Sequence, residues 1–117
     1  MKFIDRAFGW LLVIGAALHA YGSLTLYPPQ TVTLVWSLSA TFAGFLLAAI
    51  HLMRVNRPTD RTLAYVAFAG SLCWCAISLA FGMAIDAPAD PRVLYHVIVA
   101  LALAGFSASG AFRRRSI

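Results

Sequence analysis

Four apolar runs of about twenty residues each, separated by short polar turns, constrain this chain more than any other feature. An α-helix rises ~1.5 Å per residue, so each run is long enough to cross the ~30 Å hydrocarbon layer of a bilayer. The runs extend from about Ala7 to Tyr27, Val32 to Met53, Thr62 to Ile85 and Val93 to Phe112. With 62% apolar and 11% charged residues, the 117-residue chain has too few polar groups to cover the large surface of a small soluble domain. The expected fold is therefore a single all-α integral membrane domain.

The connections predict its topology. Pro28 and Pro29 stop the first run, and Pro28-Pro29-Gln30-Thr31 forms a tight turn. The segment from Arg54 to Arg61 is a polar loop in which Thr59 or Asp60 caps the third helix. The last turn, Asp86 to Arg92, places Asp90 as N-cap and Pro91 at the first helical position. Loops this short make successive helices pack antiparallel, as an up-down-up-down four-helix bundle.

Charge sets the expected orientation. In such a bundle Lys2, Arg6, Arg54, Arg57, Arg61, Arg113, Arg114 and Arg115 share one side, and only Arg92 lies on the other, beside Asp86 and Asp90. Basic loops stay in the cytoplasm, so both termini are expected there, in a bacterial inner membrane. The first run starts on basic residues but exceeds the roughly 7–15 apolar residues of a signal peptide, and no small-x-small site follows, so it is read as a retained helix. Tyr27, Tyr65, Tyr95, Trp10 and Trp36 fall near span ends, where amphipathic rings prefer to sit. Trp74 lies deeper and either fills packing space or faces lipid.

Between helices in lipid, small residues that permit close approach mark the contact faces. Ser37, Ala40, Thr41, Gly44 and Ala48 form such a stripe, which continues to His51. Gly15, His19, Gly22 and Ser23 form a second, and His96, Ala100, Ala104, Ser107 and Ala111 a third. Helix three offers Ala67, Ser71 and Ser78. All three histidines thus point toward protein. Polar side chains avoid lipid whatever their role, so a histidine bonded to a neighbouring Ser or Thr makes the same pattern.

His19 lies ~12 Å and His96 ~6 Å below the surface away from the basic loops, at ~1.5 Å per residue, on helices that neighbour each other. Tyr21 and Tyr95 are close in sequence, whereas His51 stands near the other surface. Two histidines on facing helices can ligate a b-type haem axially, with Gly15 and Ala100 leaving space for the macrocycle. His51, Thr41 and Ser71 are further intramembrane polar candidates. The expected metal content is otherwise none, because no carboxylate lies in the membrane interior. Cys73 and Cys75 project ~200° apart on a helix and read as small core residues.

No P-loop, nucleophile-base pair or zinc-ligand motif occurs, and the loops are too short for a soluble active site, so no enzymatic activity is expected. A proton-coupled exporter of the small four-helix kind needs a buried glutamate in the first helix, and the chain has no Glu at all. Asp5 is read as a first-turn anion favouring the helix N-terminus. Arg54, Arg57, Arg61, Arg113, Arg114 and Arg115 either fix topology or face anionic lipid or an acidic partner. The net charge of +5 lacks a basic helix face, which excludes nucleic acid. The expected role is an accessory or assembly subunit acting through helix–helix contacts, as a homo-oligomer or part of a membrane complex. The alternatives are a haem-b electron carrier using His19 and His96, and a small oligomeric transporter or channel.

Overall fold

A computed structural model describes residues 1–114. These form four α-helices: α1 (Lys2–Leu26), α2 (Val32–Asn56), α3 (Arg61–Ala84) and α4 (Pro91–Ala111). Each is long and apolar enough to cross a membrane. At the basic end the helices outrun the apolar segments: α1 starts at Lys2 rather than near Ala7, and α2 continues to Asn56 rather than stopping near Met53. Hydropathy marks the part of a helix suited to lipid; it does not mark where hydrogen bonding along the backbone ends.

The caps are local and follow from residue type. Asp60 accepts from the Leu63 amide at 2.9 Å, Thr31 from Leu34 at 3.2 Å, and Asp90 from Arg92 at 2.9 Å, with Pro91 opening α4. Two tight connections put a non-glycine residue in the left-handed region, Gln30 at φ 62° and Asp86 at φ 52°. Gly82 lets the last turn fold back on α3. A Cβ there would lie 3.1 Å from both Val93 methyls and 3.2 Å from the Pro88 backbone.

Side-chain contacts tie neighbouring helices together. Arg6 at the start of α1 reaches Asn56 at the end of α2, and Ser23 bonds Ser37 nearer the other end. His51 meets Ser71, Trp74 meets His96, and Phe8 meets Phe106. Leu12, Leu47, Ala48, Val99 and Leu103 make the compact apolar centre. Around it the usual distribution is reversed. Leu18, Phe42, Leu46, Ile77 and Leu101 are exposed, while Thr41, His51, Arg54, Ser71 and Ser107 are buried. Only 22–33% of the most apolar stretch of each helix is covered by protein. A surface of large apolar side chains around a polar-dotted interior fits a multi-pass membrane protein.

Candidate functional site

The polar residues separate into two clusters, one on each side of the apolar centre. At the basic end Arg54 makes two parallel bonds to Asp5, Nη2 to Oδ1 at 2.6 Å and Nη1 to Oδ2 at 2.9 Å. The same Nη2 donates to His51 Nδ1 at 3.2 Å. With Nδ1 accepting, the neutral imidazole carries its proton on Nε2 and donates to Ser71 Oγ at 2.7 Å. Ser71 in turn donates to the Ala67 carbonyl at 2.9 Å. The chain Arg54, His51, Ser71 thus runs in one direction from α2 into α3, with the carboxylate of α1 at its head.

This arrangement corrects the expectation for Arg54. Its side chain faces neither lipid nor partner; it is buried against Asp5. Asp5 accordingly does more than favour a helix N-terminus. A guanidinium this close to lipid is held best by a planar carboxylate that accepts two bonds. Arg61 is exposed at its surface, yet its Nε and Nη2 donate to the Ala111 carbonyl at 3.3 and 3.0 Å and so close the end of α4. Arg57, Arg113 and Arg114 are exposed, and Arg115 lies outside the described residues.

The second cluster lines a cavity of about 520 Å³ at the opposite end. All four helices contribute to its wall, which includes His19 and Gly22 of α1, Ala40 of α2, Trp74 and Phe81 of α3, and His96 of α4. His19 Nδ1 lies 2.7 Å from Thr41 Oγ1. The Thr41 hydroxyl also lies 3.3 Å from the Ser37 carbonyl, so its one proton serves either that carbonyl or the imidazole. His96 is held from α3. The Trp74 indole N–H donates to its Nδ1 at 3.3 Å, which puts the imidazole proton on Nε2. Neither Nε2 has a hydrogen-bond partner among the described residues.

No family model, curated protein or solved structure matches this chain. The site has to be read from its chemistry alone.

That chemistry fits poorly with the expected haem. Axial ligation asks both histidines for an Nε2 lone pair, and Trp74 fixes the opposite tautomer of His96. Gly15 also leaves no room for a macrocycle. A Cβ added there would lie 2.7 Å from Tyr95 Cε1 and 2.9 Å from His96 Cε1, because these rings already fill the notch. Tyr95 is anchored by its hydroxyl, which donates to the Leu11 carbonyl at 2.6 Å. Tyr21, expected beside the histidines, is 70% exposed. No group of three or more His, Cys, Asp or Glu side chains able to hold a metal occurs among the described residues.

Sequence reasoning placed His19 and His96, with Tyr21 and Tyr95, at one end and His51 near the other, and named Thr41 and Ser71 without partners; the structure brings Thr41 to His19 and Ser71 to His51. Sequence reasoning missed Trp74 and Asp5 as partners. For Asp5 a signal existed, since it is the one acid expected beside α1's basic start. For Trp74 none did: it is 22 positions from His96, and only the rotation of α3 about its axis decides which way the indole points.

Proposed function

We propose that this protein is a non-enzymatic binding component of the membrane, which holds an uncharged, lipid-soluble molecule in the cavity between its four helices. The observation that carries the reading is a cavity of about 520 Å³ whose polar wall groups are uncharged or paired. Binding cavities combine apolar walls with a few convergent polar groups, and this one has two imidazole nitrogens available among rings and small residues. Arg92, the one cation in the wall, is bound to Asp90 by Nε and Nη2 at 3.0 Å each, so no free charge asks for an anionic ligand.

The topology belongs to the same proposal. The helices cross up-down-up-down with both termini in the cytoplasm of a bacterial cell, which places the cavity in the outer half of the inner membrane. Leu18, Leu26 and Ile77 in its wall are 63%, 68% and 58% exposed. An opening framed by such side chains admits a ligand from among acyl chains rather than from water. The fully buried Leu12 and Leu103 lie between the cavity and the basic end, so a blind site is favoured over a channel. A subunit working by helix contacts alone would leave this space and its two nitrogens without a role.

Extraction into native-lipid polymer discs, followed by solvent partition and mass analysis, tests the reading. About one equivalent of an uncharged lipophile per chain is expected. Gly22 lines the cavity, and a Cβ there meets nothing within 4 Å, so Gly22→Trp fills the space without a clash at the backbone. The lipophile should be lost in that variant while helicity is kept. Equal lipid content in both proteins overturns the proposal.

A further inference from the structure

The basic end of the bundle carries more positive charge than its own partners neutralise. Arg54 is bound to Asp5, Arg6 donates to Asn56 Oδ1 at 2.8 Å, and Arg61 closes α4 at the Ala111 carbonyl. Lys2, Arg57, Arg113 and Arg114 are exposed, and none of them pairs with a carboxylate among the described residues. Three of these line one cleft of about 290 Å³: Lys2 at the start of α1, Arg57 in the turn between α2 and α3, and Arg113 just beyond α4. Arg114 is not part of its wall.

Fixing topology requires basic residues on one side of the membrane. It does not require them to converge on one space from three parts of the chain. Like charges gathered in this way repel one another unless an anion lies among them. Asp5 and Asp60 also line the cleft, but four cations outnumber them, and Asp5 is already held by Arg54. Arg54 itself lies in the wall at 7% exposure, and its Nε is the one buried side-chain polar atom without a partner among the described residues. The wall thus has cations and a donor in excess and lacks an acceptor anion. Val55, Ala64 and Phe106, each from a helix able to cross a membrane, add an apolar part to the same wall. A phosphate group answers the excess charge, because arginine and lysine both bind its oxygens. A phosphate carried on acyl chains answers the apolar part as well.

We infer that this cleft binds the phosphate head group of one anionic lipid from the leaflet at the basic end. Lys2, Arg57 and Arg113 neutralise the phosphate, and the acyl chains lie against the apolar part of the wall. The site is at the opposite end from the cavity described above and does not rest on that reading.

Native mass spectrometry of the protein released from nanodiscs of equal parts dioleoyl phosphatidylglycerol and dioleoyl phosphatidylcholine provides the test. One phosphatidylglycerol per chain should be retained, about tenfold in preference to phosphatidylcholine, as a few basic residues near an anionic group imply. Lys2→Gln, Arg57→Gln and Arg113→Gln should each lower that retention about fivefold, the worth of one such residue. Arg114→Gln removes the same charge one position away, outside the cleft, and should leave retention unchanged. Ser109 is exposed and lines the cleft, so Ser109→Asp should reduce retention while Ser109→Asn should not. All five substituted positions are exposed, and helicity with thermal unfolding shows that each variant has folded. Equal losses in Arg113→Gln and Arg114→Gln would mean a diffuse positive surface and overturn the inference, as would equal retention of the two lipids. Soluble glycerol 3-phosphate, added at millimolar concentration to the detergent-solubilised protein, should not displace the lipid. Displacement would make a free phosphate ester the ligand and overturn the assignment to a lipid.

Discussion

Arg54 clasps Asp5 across 49 positions of sequence, through two bonds of 2.6 and 2.9 Å, with both side chains almost wholly withdrawn from the surface. The pair joins α1 to α2 at the basic end. Removing one member strands the other. Asp5→Asn is expected to destabilise the bundle by about 3–5 kcal/mol, the usual cost of an uncompensated buried charge. The double variant Asp5→Leu with Arg54→Met, which removes both charges, should recover more than half of that loss. A double-mutant cycle by thermal unfolding in detergent measures it. Equal and additive losses would mean that the two side chains act independently.

The network beyond that pair is weaker. Ser71 links His51 to the Ala67 carbonyl, and Ser71→Ala leaves the Nε2 proton of His51 without an acceptor. Interhelical polar contacts in membranes average about 0.6 kcal/mol and reach about 1.7. A loss near the upper figure is expected because His51 is fully buried. Equilibrium unfolding of the reconstituted variant checks it.

Two glycines should respond unequally to the same substitution. A Cβ at Gly44 would lie 3.0 Å from the Trp74 ring and 3.2 Å from Ala16 Cβ, so Gly44→Val pushes α2 from both α1 and α3. A cost of about 1–3 kcal/mol follows from overpacking, with loss of ligand binding, since Trp74 shifts. At Gly105 nothing lies within 4 Å, and Gly105→Val should be close to neutral. The comparison of their melting temperatures separates packing from a general intolerance of β-branched residues.

Gln30 adopts a left-handed conformation at φ 62° in the turn between α1 and α2. An L side chain costs roughly 1–2 kcal/mol there, and glycine removes most of that cost. Gln30→Gly should raise stability by up to about 1 kcal/mol after glycine's extra unfolded-state entropy is subtracted. The rise is read as an increase in melting temperature with unchanged helicity. Gln30→Pro, which cannot adopt a positive φ, should lower it.

The first turn of α4 carries a pH dependence. The Arg92 side chain, and then its backbone amide, donate to Asp90 and hold its carboxyl below the ordinary carboxylate range. A carboxyl depressed on folding contributes stability above its unfolded pKa of ~3.9 and loses it as pH falls through the lower folded value. Amide exchange at Arg92 and Val93 should therefore accelerate only below pH ~4. Asp90→Asn should remove that pH dependence while keeping part of the cap.

The number and approximate extent of the helices were legible in the sequence because backbone hydrogen bonding within lipid is a local matter. A segment of sufficient length and hydropathy has to satisfy its own amides. The caps at Thr31, Asp60 and Asp90 are local in the same sense, and the reading of the last two from residue type agrees with their geometry. What no local pattern contained is the rotation of each helix about its axis. In lipid an apolar side chain gains nothing by facing inward, so hydropathy does not mark the inner face and packing decides it. That rotation turned Tyr21 outward and Trp74 onto His96, and it brought Asp5 to Arg54. The tautomer of His96 follows from its contact with Trp74, and that contact exists only once the helices have met.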